Sequence, residues 1–434
     1  MNLLFANDRL GEYPASLYVD TSDPAPDRPA LRGADQADVC IIGAGYTGLS
    51  AALHLAQAGR RVIVLEAHRA GFGASGRNGG QIGSGQRLEV TDLEQMAGKP
   101  AARRLWDMAE EAKALTYDLA AQAGVPTFRG IAHAARKPAE VAHAHQMAEH
   151  LAQHYGYDQI EPLDAAGLRA LIPSDAYIGG DIDHGAGHVH PLNLALGIAR
   201  LAEAAGAVIF ERSPVTRIVH GTTGTKSRIE TAEGHIMADH VILAANGYLD
   251  RLEPKIAARV MPINNYIVAT EPLGARAAEV LTRNIAAHDT KFVVNYWRLH
   301  EDRLVFGGGE TVTYRFPRDI AAKVRKPMLA VYPALKDVKI THAWGGTLAI
   351  TLNRMPCFAR PAPNCLSASG FSGHGVALAC LAGKLMAQAV TATGDGFDAM
   401  AALPMPAFPG GGLLRWPMLV AGMSWFSLRD RIGI

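Results

Sequence analysis

The chain has 434 residues, with 42 Lys and Arg against 41 Asp and Glu, 49% hydrophobic and 19% charged. That length supplies core for two or three domains, and the balance is that of an ordinary globular enzyme. A net charge of +1 provides no basic surface, which argues against nucleic acid as a partner.

Met1 to Gln36 carries Pro14, Pro24, Pro26 and Pro29 and little periodicity, so it reads as an arm wrapped over the surface. Asp8, Arg9 and Glu12 interrupt the start too early for a secretion signal. Asp38 to Ile42 is a short apolar run, the pattern of a buried strand. It runs into Gly43, Gly45 and Gly48, spaced G-x-G-x-x-G. Leu49, Ala52, Leu53 and Ala56 then recur at helical spacing until Gly59. Val62 to Leu65 is a second strand with Glu66 at its end. The pattern predicts one βαβ unit, with glycines between strand and helix and an acid about twenty residues on, as dinucleotide binding requires.

Each residue has a job in that reading. Gly43 permits the tight turn, Gly45 lets a pyrophosphate approach the backbone, and Gly48 lets helix and strand pack closely. The free N–H groups of this turn, those of Ala44, Tyr46 and Thr47 among them, face the phosphates at the positive end of the helix. Glu66 accepts from a ribose diol and repels a 2′-phosphate, which suits the adenosine of FAD or NAD better than that of NADP. Gly71 to Gly85 then reads GFGASGRNGGQIGSG. A plain NAD domain needs no second small-residue loop here. A flavin does, because its ribityl chain and ring extend past the pyrophosphate. The candidate contacts are Ala67, Arg69, Gly73, Ala74, Ser75, Asn78, Gly79, Gly80 and Gln81.

From Leu88 to about Tyr155 the chain is helix-rich, with helices predicted over Arg103 to Gln122 and Ala139 to His154 and a strand over Phe128 to Ala135. His133, His143, His145, His150 and His154 invite a metal, but His150 and His154 lack the intervening Glu of a zinc-protease helix and a third ligand nearby. They read as a solvated helix face. Asp181 to His190, DIDHGAGHVH, reads as a turn into a helix that starts at Pro191. No metal is expected at either place.

Val208 to Phe210, Val215 to His220 and Val241 to Ala245 are predicted strands, the last leading into Asn246 and Gly247. Pro262 to Thr270, Phe292 to Tyr296 and Leu304 to Phe306 join Phe128 to Ala135 in the sheet of a second domain. Gly307 to Gly309 reads as a bulge, since no helix follows it. Cys365 to Ser369 is a last strand running into Gly370, Phe371, Ser372, Gly373, His374, Gly375 and Val376, and Val376 to Val390 is a helix. Strand, glycine loop and helix N-terminus thus occur twice. Cys40, Cys357, Cys365 and Cys380 are scattered and read as reduced core thiols of a cytoplasmic protein. Pro417 to Leu428 is apolar but about half the length a bilayer needs, so it packs on the body or lies on a membrane surface.

The chain resembles the D-amino-acid-oxidase-like FAD oxidoreductases, and within them the gamma-glutamylputrescine oxidases. The resemblance rests on GAGYTGLSAALHLA followed by GFGASGRNGGQ, on GHVHPLNLA from Gly187, RLVFGGG from Arg303 and GFSGHGV from Gly370, and on the tail motifs FPGGGLLRWP and SLRDRIG. It implies an α/β fold (α+β overall), with a Rossmann-type FAD-binding domain and a substrate domain built on a mixed or antiparallel sheet. The implied division is an arm over 1–36, an FAD domain over 37–90, 186–255 and 340–395, a substrate domain over 91–185 and 256–339, and a tail over 396–434. The resemblance also implies that the Val215 backbone reads adenine and that Ala245, Asn246 and Gly247 pass the pyrophosphate. It points the second helix N-terminus, with His374, at the pyrimidine edge of the flavin, where positive charge favours the reduced ring. Related sarcosine oxidases hold flavin through a cysteine near the segment matching Trp344-Gly345-Gly346. That segment has no cysteine here, so noncovalent FAD is expected.

A flavin accepts hydride from a neutral amine, so the site needs an aromatic, apolar wall. Tyr266, Tyr296, Trp297 and Trp344 are candidates for that wall, and Arg298 for binding a substrate carboxylate. The expected activity is oxidation of an amine to an imine, hydrolysed to aldehyde and ammonia, with O2 reduced to H2O2. Gamma-glutamylputrescine is the best single substrate. Another amine or amino acid, a quinone-linked dehydrogenase, and a flavin-bound sensor without turnover are the alternatives. Nothing in the sequence sets an oligomeric state.

Overall fold

The computed structural model describes residues 2–409 except 24, 223 and 312. In chain order the elements that build the site are β1 (Gly33–Ile42), α1 (Tyr46–Gln57), β2 (Val62–Leu65), β3 (Thr127–Ala135), β4 (Gly179–Val189), β5 (Gly234–Leu243), β6 (Met261–Thr270), β7 (Tyr296–His300), β8 (Arg303–Thr311), β9 (Ile340–Ile350), β10 (Cys365–Ser369) and α2 (Gly375–Thr391).

Val39, Cys40, Ile41 and Ile42 are buried on both faces of β1, which is why this run is apolar without alternation. β1 pairs in parallel with β2 on one side and β5 on the other, and β10 extends the parallel set beyond β5. Val208–Phe210 closes one edge beside β2, and Cys357–Ala362 runs antiparallel at the other. α1 and α2 pack on one face of this sheet and cross closely: the Ser50 hydroxyl donates to the Cys380 carbonyl at 2.6 Å. A Cβ at Gly383 would lie 2.4 Å from the Thr47 carbonyl oxygen, so only glycine permits that approach.

The second sheet is mixed, in the order β9, β6, β8, β7, Ala286–Asp289, β3, β4, Gln81–Ile82. Ala286–Asp289 pairs with β3 in parallel and the other neighbours are antiparallel. One face buries Tyr266, Val268, Trp297, Leu304 and Phe306 against Val324, Met328, Val331 and Tyr332 of the segment that includes helix Ile320–Val331. The other face carries Asn265, Tyr296 and Gly307 toward the first sheet. This is the period-2 alternation of a strand covered differently on its two sides.

Several elements differ from the sequence expectation. Asp181 to His190 is not a turn: most of it lies in β4, paired with β3, Ile160–Leu163 and Gln81–Ile82. Its glycines fit close backbone approach, since a Cβ at Gly180 would lie 1.9 Å from the His133 carbonyl oxygen. Phe292 to Asn295 is irregular, and the strand begins at Tyr296. Residues 340–350, expected with the FAD domain, form the edge strand β9 of the second sheet, because β9 pairs with β6 along its length. The chain from Gly410 on, including the Pro417 to Leu428 stretch, lies outside the described residues. Among the described residues, no helix is long and apolar enough to cross a membrane.

Candidate active site

A cavity of about 1450 Å³ runs between the two sheets. Ordinary ligand pockets span about 300–1,000 Å³. The excess is what an extended dinucleotide together with a substrate needs.

At one end β1 stops and α1 begins. Gly43 has φ +106, and a Cβ there would lie 2.8 Å from the Ala244 carbonyl oxygen. At Gly48 a Cβ would lie 1.9 Å from the Gly43 carbonyl oxygen, so the helix packs on its own entry loop. Gly45 caps α1 without a side-chain bond, so the first-turn N–H groups are left for other acceptors. That of Tyr46 donates to Ser75 Oγ at 2.9 Å. Glu66 sits opposite: its Oε2 accepts from the Ala44 N–H at 2.7 Å and its Oε1 from the His68 N–H at 2.8 Å. A carboxylate has further lone pairs for a ribose diol. Burial raises the Glu66 carboxyl to about 7 against the pull of those N–H groups. Ala67, Val215, Ala245 and Asn246 continue the wall, and Asn246 Oδ1 accepts from the Gly370 N–H at 2.9 Å.

Gly73, Ala74, Ser75, Asn78, Gly79 and Gln81 line the middle of the cavity. Asn78 folds their loop: its Nδ2 donates to the Ala74 and Ser75 carbonyls, and its Oδ1 accepts from the Gly80 N–H at 2.6 Å. Gln81 ties the loop to the second sheet through the Ala287 carbonyl at 2.9 Å and His288 Nδ1 at 3.0 Å. Phe371, Ser372, Gly373, His374, Gly375 and Val376 bring the N-terminus of α2 to the same cavity. That end also lacks a side-chain cap bond. Two open helix N-termini therefore face one space. Burial, with Arg87 nearby, lowers His374 to about 4, so its ring is neutral at neutral pH. It offers a polar group at this edge and no added cationic charge.

Of the proposed contacts, Ala44, Gly48, Gly80, Gly247 and Gly370 shape the walls from behind without lining the space. Arg69 does not reach it. Its Nε donates to Glu211 Oε2 at 2.8 Å and its guanidinium lies over Tyr13, which turns it toward the N-terminal arm.

The aromatic wall needs larger corrections. Tyr296 lines the cavity, and its hydroxyl donates to Asn265 Oδ1 at 2.6 Å. Trp297, next along β7, points the opposite way into the second core, stacked with Phe306 and Tyr177. Tyr266 is likewise in that core, bonded to Thr311 and set edge-on to Phe316. Trp344 is 2% exposed and does not line the cavity; its Nε1 donates to the Arg77 carbonyl at 3.1 Å. Arg298 is 3% exposed, and its Nε donates to the Gly79 carbonyl at 3.2 Å. Neither Trp344 nor Arg298 lines the space. Both brace the Gly73–Gln81 loop from behind, because period-2 geometry puts them on the loop side of their strands.

Residues that the sequence reading did not assign to the site complete it. Glu310, Arg87, Arg354 and His288 line the cavity on the side of Tyr296. Asp181 and His133 face each other there at 2.8 Å, and the Asp181 carboxylate raises the His133 pKa against the effect of burial. Asn2, Leu4 and Phe5 of the N-terminal arm line the cofactor end. No local motif marks any of these, since each comes from a different segment.

The features fit FAD. Uncapped N–H groups suit a pyrophosphate, the Glu66 carboxylate suits a ribose, and a glycine loop with a second helix N-terminus suits a flavin ring. Comparison with known proteins agrees. Residues 38–389 match the family described as DAO, FAD dependent oxidoreductase. The chain is 40% identical over 422 residues to a probable oxidoreductase OrdL of Rhizobium meliloti (strain 1021), covering 96% of this chain and 97% of that one. It is 39% identical over 428 residues to the gamma-glutamylputrescine oxidoreductase of Escherichia coli (strain K12), covering 98% and 100%. In fold it resembles the glycine oxidase of Geobacillus kaustophilus, with a TM-score of 0.71 at 21% identity, covering 86% of this chain and all of that one. With the glycine turn, the acid at the end of β2 and the second helix N-terminus all set around one cavity, this chain belongs to the family of FAD-dependent oxidoreductases.

Proposed function

We propose that this protein oxidises a primary amine carried on an alkyl arm, with gamma-glutamylputrescine as the best single substrate. The observation that carries the reading is the cavity itself: two open helix N-termini, a braced glycine loop and the Tyr296 ring converge on one space. The named Escherichia coli relative, similar along the whole chain, supplies the substrate class.

When bound, FAD would supply the acceptor for hydride from the amine-bearing carbon, with O2 as the final electron acceptor, reduced to H2O2. The imine so formed adds water and releases ammonia and an aldehyde. The turn at Gly45 to Thr47, Glu66 and the backbone of Val215, Ala245 and Asn246 would hold the adenosine and pyrophosphate. Gly79, Gln81 and Phe371 to Val376 would hold the ring. Tyr296 narrows the space beside it and keeps water from the reacting carbon. None of the four cysteines lines the cavity, which supports noncovalent FAD.

A poorly solvated aromatic wall disfavours the ammonium form of the substrate and favours the reactive free base. An alkyl ammonium has a pKa of roughly 10, so activity at subsaturating amine should rise with pH toward that value. Anaerobic addition of gamma-glutamylputrescine should bleach the yellow protein, and admitting air should restore the colour and yield peroxide. Bleaching that persists in air would replace O2 by another acceptor. A protein that no amine bleaches would overturn the reading.

A further inference from the structure

The cavity also carries charges of both signs that make no ion pair among the described residues. Among the described residues, the Glu310 carboxylate lines it without a hydrogen bond or ion pair. The Arg354 side chain, on the turn after β9, likewise lines it without a hydrogen bond or ion pair among the described residues, and lies over the Phe292 ring. Arg87, after Gln81–Ile82, is exposed; its Nε donates to the Ser372 carbonyl, and it has no ion pair among the described residues. Elsewhere in the fold, Arg28 and Arg69 hold Glu211, and Arg77 holds Asp8. Enclosed charge left unpaired is costly unless a ligand completes it.

Their placement relative to Tyr296 sets what the ligand is. Glu310 stands opposite Asn265 in the β6–β8 register, and Asn265 accepts the Tyr296 hydroxyl. The other end of the Tyr296 ring lies over the loop: a Cβ at Gly79 would be 2.7 Å from its Cδ2. The ring therefore spans from the glycine loop to the charged group. A substrate laid along it has its reacting end at the loop and its far end between Glu310 and the two arginines. Burial raises the Glu310 carboxyl, while Arg354 and Arg87 act to keep it ionised. Arg354 also holds the left-handed backbone, φ +64, a conformation that the surrounding structure has to enforce.

We propose that Glu310, Arg354 and Arg87 form a head-group site for a zwitterion, an α-ammonium beside an α-carboxylate, at the end of the substrate remote from oxidation. Glu310 takes the ammonium and Arg354, with Arg87, takes the carboxylate by charge-assisted hydrogen bonds. A simple alkylamine leaves all three unmet, and a diamine leaves the arginines unmet. The assignment rests on the amine-oxidation reading and names the part of the substrate that the oxidation chemistry does not select. It assigns recognition to this cluster and to no group on the loop.

The test is binding, so that it does not depend on turnover. γ-L-Glutamyl-n-butylamide carries the head group and arm but no oxidisable terminal amine. It would be titrated into FAD-loaded protein and followed by the flavin absorbance, beside one analogue lacking the α-ammonium and one lacking the α-carboxylate. Glu310→Gln should weaken the full ligand by about tenfold to a hundredfold and leave the analogue without the ammonium unaffected. Arg354→Gln should weaken the full ligand similarly and leave the analogue without the carboxylate unaffected. Glu310→Asp, which keeps the charge, should fall between wild type and Glu310→Gln. Flavin content reports that each variant is folded. Unchanged affinity in both Gln variants, or equal losses for all three ligands, would overturn the head-group site. The predicted pattern in a protein that oxidises no amine would keep the site and sink the oxidation reading.

Discussion

At the scale of single residues, the glycines of the first turn divide by what surrounds them. A Cβ at Gly48 would strike the Gly43 carbonyl oxygen at 1.9 Å, a backbone atom held by β1 and β5. A Cβ at Gly45 would meet only the Ser75 hydroxyl at 2.9 Å, the end of a side chain that can move. Gly48→Ala should therefore destabilise the protein by about 1–3 kcal/mol, seen in thermal melting. Gly45→Val should leave a folded protein that is colourless, because its branched side chain takes the pyrophosphate's space. A yellow, fully loaded Gly45→Val would place the cofactor elsewhere. Glu66 gives a pH dependence. Its carboxyl is at about 7 in the cofactor-free protein, above the unfolded value of roughly 4.3. Its contribution to cofactor-free stability is thus full below roughly 4.3 and lost as pH rises through about 7. A ribose diol donating to the ionised form lowers that pKa on binding. FAD affinity should therefore fall as pH is lowered through about 7. Equilibrium titration of cofactor-free protein between those conditions checks this, and a flat profile would remove Glu66 from the ribose.

At the scale of elements, the site depends on where two helices cross and on which way strand residues point. α1 and α2 touch at Gly383, whose added Cβ would meet the Thr47 carbonyl at 2.4 Å and the Ala51 nitrogen at 2.6 Å. Both are α1 backbone. Gly383→Ala should push the helices apart and move both N-termini, costing about 1–3 kcal/mol. FAD should also bind more weakly, although the residue is far from any expected contact. Trp344→Phe acts through the loop instead. It removes the donor to the Arg77 carbonyl and leaves that buried acceptor unmet, at about 1–3 kcal/mol. If Trp344 braces the loop, stability and FAD affinity fall together while the pH dependence of flavin reduction keeps its shape. A changed pH profile would return Trp344 to the substrate wall.

At the scale of the whole molecule, neither sheet makes the site alone. β1, α1 and α2 hold one side of the cavity, β6, β7 and β8 the other, and Gln81–Ile82 is shared, following the glycine loop and pairing with β4. FAD binds the assembled state and stabilises it by mass action. At about a hundredfold over its Kd the gain is about 2.7 kcal/mol, on the order of 3 °C in Tm for a chain of this size. Melting the protein with and without added FAD should show the shift. Because both sheets line the cavity, far-ultraviolet and flavin signals should move in one transition. Two separated transitions, with only one responding to FAD, would mean that the cofactor is held by the first sheet alone.

The sequence by itself determined the features whose parts are contiguous. β1, α1 and β2 follow one another, so the glycine spacing, the apolar runs and Glu66 read directly as a nucleotide-binding unit. The second strand, loop and helix at Gly370 to Val376 were legible for the same reason, as was the second, mixed sheet in outline. The tertiary structure decided what depends on parity and on convergence. Tyr296 and Trp297 are neighbours, yet one faces the cavity and the other the second core, because successive strand residues point to opposite faces and only packing says which face is which. Arg298 and Trp344 share the loop side of the sheet, where Arg298 Nε and Trp344 Nε1 donate to loop carbonyls. Glu310, Arg354 and Arg87 carry no motif at all: they become one site only because β8, the turn after β9 and the chain after Gln81–Ile82 are brought to the same end of one cavity.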